Sequence, residues 1–256
     1  MKLRSFLSTI FWIGLTLLVW QLAENSINQS RISAGETSLE LFFPSPYTIG
    51  LTFINRGNII LLEMSYTLIR AFFGLVLGSM LSVVISILFI VLPKSRSFVM
   101  PITQGINSFP VIGFSPLIIL TFGQGSWLGI VCISALIAYF PTLIALDHSI
   151  RTINSEWISL MKVWGATRWQ IFYKLQLPNA LPFFITSLKL AVPASLIGAV
   201  LGEWLGTKNG IGKLITLSFY QLDPGTIYAS LILLMIVSLV VTSLISYLEK
   251  KLFPWK

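Results

Sequence analysis

Long apolar stretches alternate along the chain with short polar ones, and the apolar stretches have the length of a bilayer. Ser5 to Ala23 runs 19 residues without a charge, Ala71 to Leu92 runs 22 and Thr226 to Leu248 runs 23. Between Arg96 and Asp147 lie 50 uncharged residues, enough for two spans and a turn. Roughly 20 apolar residues cross a hydrocarbon core as a helix, and in lipid only helices and closed barrels satisfy their own backbone. The runs lack the period-2 alternation of a barrel strand, so helices are predicted. The expected fold is an all-α membrane protein with six transmembrane helices. They fall at about 5–23, 65–92, 97–121, 127–146, 179–203 and 226–248, with Gly123 to Ser126 turning the chain between the third and fourth. Residues 1–60 then comprise a first helix and an outer loop, and residues 61–256 a core of five helices.

Composition sharpens this picture. Only 10% of residues are charged and the mean hydropathy is +0.86, against about 25% charged in an ordinary soluble domain. Lys2 and Arg4 before an apolar run resemble a signal peptide. The run is longer than a usual signal core, however, and Gln21 spoils a small-residue cleavage site, which favours a retained span. Cys132 is the single cysteine and His148 the single histidine. That predicts no disulfide framework and no metal or other cofactor, and leaves Asp147 and His148 as structural residues at the inner membrane edge.

Charge sets an orientation. With the N-terminus inside, the cytoplasmic side receives 11 basic residues and the outside 4, with Arg70 and Lys189 inside spans completing the 17. This asymmetry predicts cytoplasmic termini in a multi-pass protein of the cell membrane. It also accounts for the +8 net charge without invoking nucleic acid.

The longest cytoplasmic connection, Asp147 to about Leu177, carries the densest local signals. Asn154 or Ser155 can cap a helix with Glu156 in its first turn. Trp157, Leu160, Met161 and Trp164 follow at i, i+3, i+4 and i+7, one face of a short amphipathic helix. Gly165 and Ala166 break it, Thr167 and Gln170 have capping-box spacing for a second helix, and Leu177-Pro178 is expected to end that one. Such a segment can rest on lipid headgroups, or it can dock a partner protein.

The run from Gly165 through Ala166, Thr167 and Arg168 to Leu177 and Pro178 resembles the EAA signature of ABC importer permeases, with a glycine and a Leu-Pro at fixed distance. Further pieces resemble the nitrate/sulfonate/taurine branch of that family: Phe43 to Pro46, Leu92 to Arg96, Ser108 to Pro110, Ser115-Pro116, Gly202-Glu203 and Gly210 to Gly212. The resemblance covers roughly residues 40 to 250. It implies a permease subunit of an ATP-driven importer, working with two ATPase subunits, a second permease copy and an external substrate-binding protein. ATP hydrolysis then belongs to another chain, and the loop is the coupling helix that fits a cleft of the ATPase. The coupling residues so implied are Glu156, Trp157, Ser159, Leu160, Met161, Trp164, Gly165, Ala166 and Pro178. The sequence departs from the signature where Glu-Ala-Ala is expected, since Ser159, Leu160 and Met161 stand there and Glu156 lies one turn earlier. Cargo within this branch ranges from nitrate, sulfonates and taurine to thiamine precursors.

Candidate pathway residues are fewer. Gln104, Asn107, Ser108 and Ser115 fall near one face of the third span, which Pro101, Pro110 and Pro116 interrupt. They line a cavity or serve as polar contacts between helices. Charges placed in spans usually face the protein interior. Lys189 lies deep in its span and is read as a pathway residue or a packing one. Arg70, near the outer end, attracts an anionic solute, packs, or snorkels. Glu203, near the outer mouth, forms a gate contact or a solvated helix end, of which the solvated end is the expected one. Gly206 to Lys213 fails as a phosphate-binding loop, because five residues separate Gly206 from Gly212 and Leu214 follows Lys213. An ion-coupled secondary transporter is the rival reading, but no Asp or Glu lies centrally in a span. A membrane-embedded enzyme would need clustered polar catalytic groups, which are lacking.

Overall fold

The computed structural model describes residues 11–12, 14–16, 18–27 and 44–254. Nine α-helices occur between Pro46 and Leu252: α1 Pro46–Val91, α2 Arg96–Ser108, α3 Val111–Phe122, α4 Trp127–Arg151, α5 Ser155–Val163, α6 Arg168–Ile171, α7 Leu177–Trp204, α8 Ile211–Tyr220 and α9 Pro224–Leu252. No strand occurs among the described residues. Three helices and the continuous run Arg168–Trp204 are each long and apolar enough to cross a membrane, and the pair α2–α3 makes a fifth candidate if taken as one span. The expected first span lies partly outside the described residues; those described between 11 and 27 are helical.

Two compact units divide the chain, one formed by residues 1–63 and 214–233, the other by residues 64–213 and 234–256. In the first unit, Ser45 and Pro46 start α1. The Thr48 N–H donates to the Ser45 hydroxyl at 3.1 Å, and Pro46 occupies a first-turn position that needs no N–H. Residues 46–60 are expected in the outer loop, yet they are helical and continuous with the span. No proline follows Pro46 to interrupt them, and Ile49 and Ile60 are buried. At 1.5 Å per residue α1 reaches about 69 Å, more than twice a hydrocarbon core. Asp223 caps α9 through the Thr226 N–H at 3.1 Å and receives Arg56 at 2.5 Å.

The second unit is built around α4 and α7. Its core cluster joins Ala71 of α1, Ile119 of α3, Ile130 and Ile133 of α4, and Val192, Leu196 and Ala199 of α7. Small residues permit the close approach, as in membrane helix pairs generally. A Cβ added at Gly198 would meet the Ser134 Cα at 2.6 Å, and one at Gly78 would meet the Ala135 carbonyl oxygen at 2.7 Å. Hydroxyls bond backbone across the same contacts: Ser82 donates to the Tyr139 carbonyl at 2.6 Å and Ser134 to the Ser195 carbonyl at 2.8 Å.

Three local expectations are corrected. The interruption expected in the third span falls at Pro110 alone, where Phe109 is extended (φ −76°, ψ 136°) and the two helices are bent by 95°, whereas Pro101 and Pro116 stay within α2 and α3. Leu177-Pro178 does not end a helix. A π-helical turn, Phe172–Gln176, carries α6 into α7, and the Leu177 N–H reaches the Phe172 carbonyl five residues back. That wider register places Pro178 in the first turn of α7, where its missing N–H is tolerated. Helix α8 lies where an outer loop was expected.

Candidate functional site

Within the second unit, the 154–176 segment starts from an anchored base. Arg96 grips Asp147 with two parallel bonds, Nε to Oδ1 at 2.6 Å and Nη2 to Oδ2 at 2.9 Å, while Arg151 approaches Oδ2 at 3.6 Å. Asp147 is 4% exposed, so the fork joins the start of α2 to the end of α4 in a partly dry setting. On the return, Asn179 of α7 donates to the Ser149 carbonyl at 2.8 Å. Asp147 thus has the structural part expected of it. Asn179 carried no sequence signal, since an isolated asparagine after a Leu-Pro pair has no readable partner.

Between these anchors α5 stands on its caps. The Glu156 N–H donates to the Asn154 side chain at 2.9 Å, which settles the N-cap on Asn154. At the other end the Gly165 N–H bonds the Lys162 carbonyl and the Ala166 N–H bonds the Met161 carbonyl, both at 2.9 Å. This paired pattern is the Schellman motif, and it requires a left-handed residue, which Gly165 supplies at φ +76°. Thr167 and Gln170 form the capping box expected for α6.

No residue of α5 is buried. Trp157 is 59% exposed and Trp164 77% exposed, with Leu160, Ser159 and Glu156 also open, whereas Met161 is half-buried and turns toward the rest of the chain. Trp169 and Tyr173 of the following turn are exposed as well and stack at 6.1 Å. A nine-residue helix is too short to persist on propensity alone. Exposed aromatic residues on a rigidly capped element have the character of a contact surface.

The expected pathway residues do not share one helix face. Gln104, Asn107 and Ser108 are exposed on α2, with the Ser108 hydroxyl donating to the Gln104 carbonyl. Ser115 lies beyond the 95° bend, fully buried in α3 and bonded to the Val111 carbonyl at 2.9 Å. Lys189 pairs with Glu249 of α9, which also accepts from the Thr186 hydroxyl at 2.6 Å.

Glu203 departs furthest from expectation. It is 1% exposed instead of solvated, and it accepts from Arg70 Nη1 at 2.6 Å, the Thr67 hydroxyl at 2.9 Å and the Gly212 N–H at 2.9 Å. Arg70, 6% exposed, also donates to the carbonyl and side chain of Asn209. Snorkelling is therefore not how Arg70 is accommodated. Thr67 completes the ring by accepting from the Ile211 N–H at 2.8 Å. Gly210 adopts φ +114° directly against the Glu203 carboxylate, a place with no room for a side chain.

Known proteins resemble this chain over most of its length. It is 28% identical over 249 residues to the formylaminopyrimidine transport permease protein ThiX of Halalkalibacterium halodurans, covering 97% of this chain and 95% of that protein. It is 29% identical over 216 residues to SsuC of Bacillus subtilis, a permease protein assigned to aliphatic sulfonates, covering 83% and 78%. A solved amino acid ABC transporter chain superposes with a TM-score of 0.65 at 15% identity, over 78% of this chain and 97% of that one, and shares its fold. Residues 92–254, well over half of the chain and including the whole 154–176 segment, match one family. With its apolar helices and its permease relatives, the chain belongs to the binding-protein-dependent transport system inner membrane components, the permeases of ABC importers.

Proposed function

We propose that this permease couples an ATPase on its cytoplasmic side to alternating access for a small organic solute of the sulfonate or thiamine-precursor kind. The observation that carries the reading is α5, capped at both ends, with Trp157, Leu160 and Trp164 uncovered. Closure of an ATPase dimer pulls on this face, and the anchors at Asp147 and Asn179 pass the displacement to α2, α4 and α7. Glu156 supplies the acidic group that Ser159 lacks, and Ser159, Met161, Gly165, Ala166 and Pro178 shape the segment. The energy source is on the partner, so no catalytic group is required of this chain. Two copies of the permease form the pathway, an external binding protein delivers the solute, and both termini lie in the cytoplasm. Residues 61–256 act as the transporting core. Gln104, Asn107 and Ser108 face the pathway ahead of the bend, with Ser115 and Lys189 supporting its walls.

Co-purification tests this reading. Tagged permease carrying Trp157→Ala and Trp164→Ala is expected to lose its ATPase subunit at least about tenfold relative to the unsubstituted chain, since such anchors dominate contact energies. Equal recovery of the ATPase, with equal transport, would remove α5 from the coupling path.

A further inference from the structure

Two confluent hollows lie beside the π-helical turn. The first is a half-open hollow of about 200 Å³ between α1, α4 and α7, with Ile87, Ile90, Leu146, Phe172, Leu181 and Phe184 in its wall. Its lining is hydrocarbon apart from Ser86 and Gln176. The second shares Ile87, Ile90 and Phe172 with it and is also lined by Arg168 and Trp169. Together they form a groove running from Val83 to Val91 along α1, about 12 Å at helical rise, with a cation at its mouth. Arg168 enters no ion pair among the described residues.

We propose that this groove binds one anionic phospholipid, with an acyl chain along Ile87, Leu181 and Phe184 and the phosphate on Arg168. The groove follows the last turns of a span, a depth at which lipid tails are the surrounding medium, so an acyl chain enters without leaving water. Arginine matches a phosphate with two parallel donors, and an uncompensated cation at the mouth selects anionic over zwitterionic headgroups. Trp169 sits at the same mouth, an aromatic ring suited to the interface. The wall includes Phe172, Gln176 and Leu177, the turn that joins the coupling segment to α7. The bound lipid therefore braces the joint through which α5 and α6 move the spans. Only the choice of leaflet rests on the cytoplasmic placement proposed above.

The intact importer complex, placed in nanodiscs of equal phosphatidylglycerol and phosphatidylcholine, tests the site by native mass spectrometry of retained lipid. Phosphatidylglycerol is expected to be held preferentially, and Arg168→Gln to lower its ratio to phosphatidylcholine about tenfold, as loss of one charge-assisted contact would. Lys250→Gln, at an exposed cation that does not line either hollow, is expected to leave the ratio unchanged. Ala180→Trp, which fills the groove, is expected to release both lipids. Should that variant not fold, a phosphatidylglycerol analogue with a photoreactive acyl chain replaces it, expected to label peptides spanning 83–90 and 177–184. Equal retention of the two lipids, equal loss in both charge variants, or labelling excluded from those peptides by a second protein copy would overturn the assignment. Lipid counting requires no transport, so it stands or fails separately from the coupling role of α5.

Discussion

Arg70 Nη1 lies 2.6 Å from Glu203 Oε1, and the two side chains are 7% and 0% exposed. The pair fastens α1 to the end of α7, and Thr67, Asn209 and Gly212 close it off and tie in the 206–212 turn. A buried pair gives limited net stability, but breaking it leaves an uncompensated charge. Glu203→Leu alone is expected to cost about 3–5 kcal/mol of stability. Arg70→Met combined with Glu203→Leu is expected to recover much of that loss. Thermal unfolding of the detergent-purified permease measures both; equal loss in the single and double variants would show that the charges do not act as a pair.

Helix packing makes a sharper contrast. Gly198 faces Ser134 with no room for a Cβ, whereas Gly57 has nothing within 4 Å of that position. Gly198→Ala is expected to destabilise by about 1–3 kcal/mol through overpacking. Gly57→Ala, in the interior of α1, is expected to stabilise by about 0.5–1 kcal/mol. The same unfolding measurement checks the opposite signs, and a neutral Gly198→Ala would mean that α4 and α7 are not in close contact.

Gly165 is constrained by its backbone alone. An added Cβ meets nothing within 4 Å, but φ +76° is a left-handed conformation that costs an L-residue roughly 1–2 kcal/mol. Gly165→Val is therefore expected to insert and fold while misdirecting the turn from α5 into α6. Substrate-stimulated ATPase activity in proteoliposomes should fall several-fold with the amount of inserted protein unchanged. Full stimulation would show that the turn is not part of the coupling path.

The spans were legible because lipid imposes a strong rule: uncharged runs of hydrocarbon length must be helical, and they are, at α4, α7 and α9. The caps of α5 and α6 were equally readable, since Asn154, Gly165, Thr167 and Gln170 act on their immediate neighbours. What escaped depended on distant partners. Glu203 reads as a solvated end until Arg70, 133 positions away in sequence, is seen beside it. The helical stretch 46–60 escaped because its polar Asn55, Arg56 and Asn58 interrupt the apolar run without breaking the helix. Pro178 misled for a local reason: its missing N–H is accommodated by a π-helical turn, a choice that proline alone does not announce.

Coupling through α5 requires residue 160 to touch the ATPase. Leu160 is 39% exposed on the uncovered face of α5, and Cys132 is the only native thiol to replace. A Cys132→Ser permease carrying Leu160→Cys, treated with a short thiol-to-amine cross-linker in inside-out membranes, is expected to yield a covalent adduct with the ATPase subunit. Labelling of the same thiol by an impermeant reagent from the outer face, with no such adduct, would contradict the account.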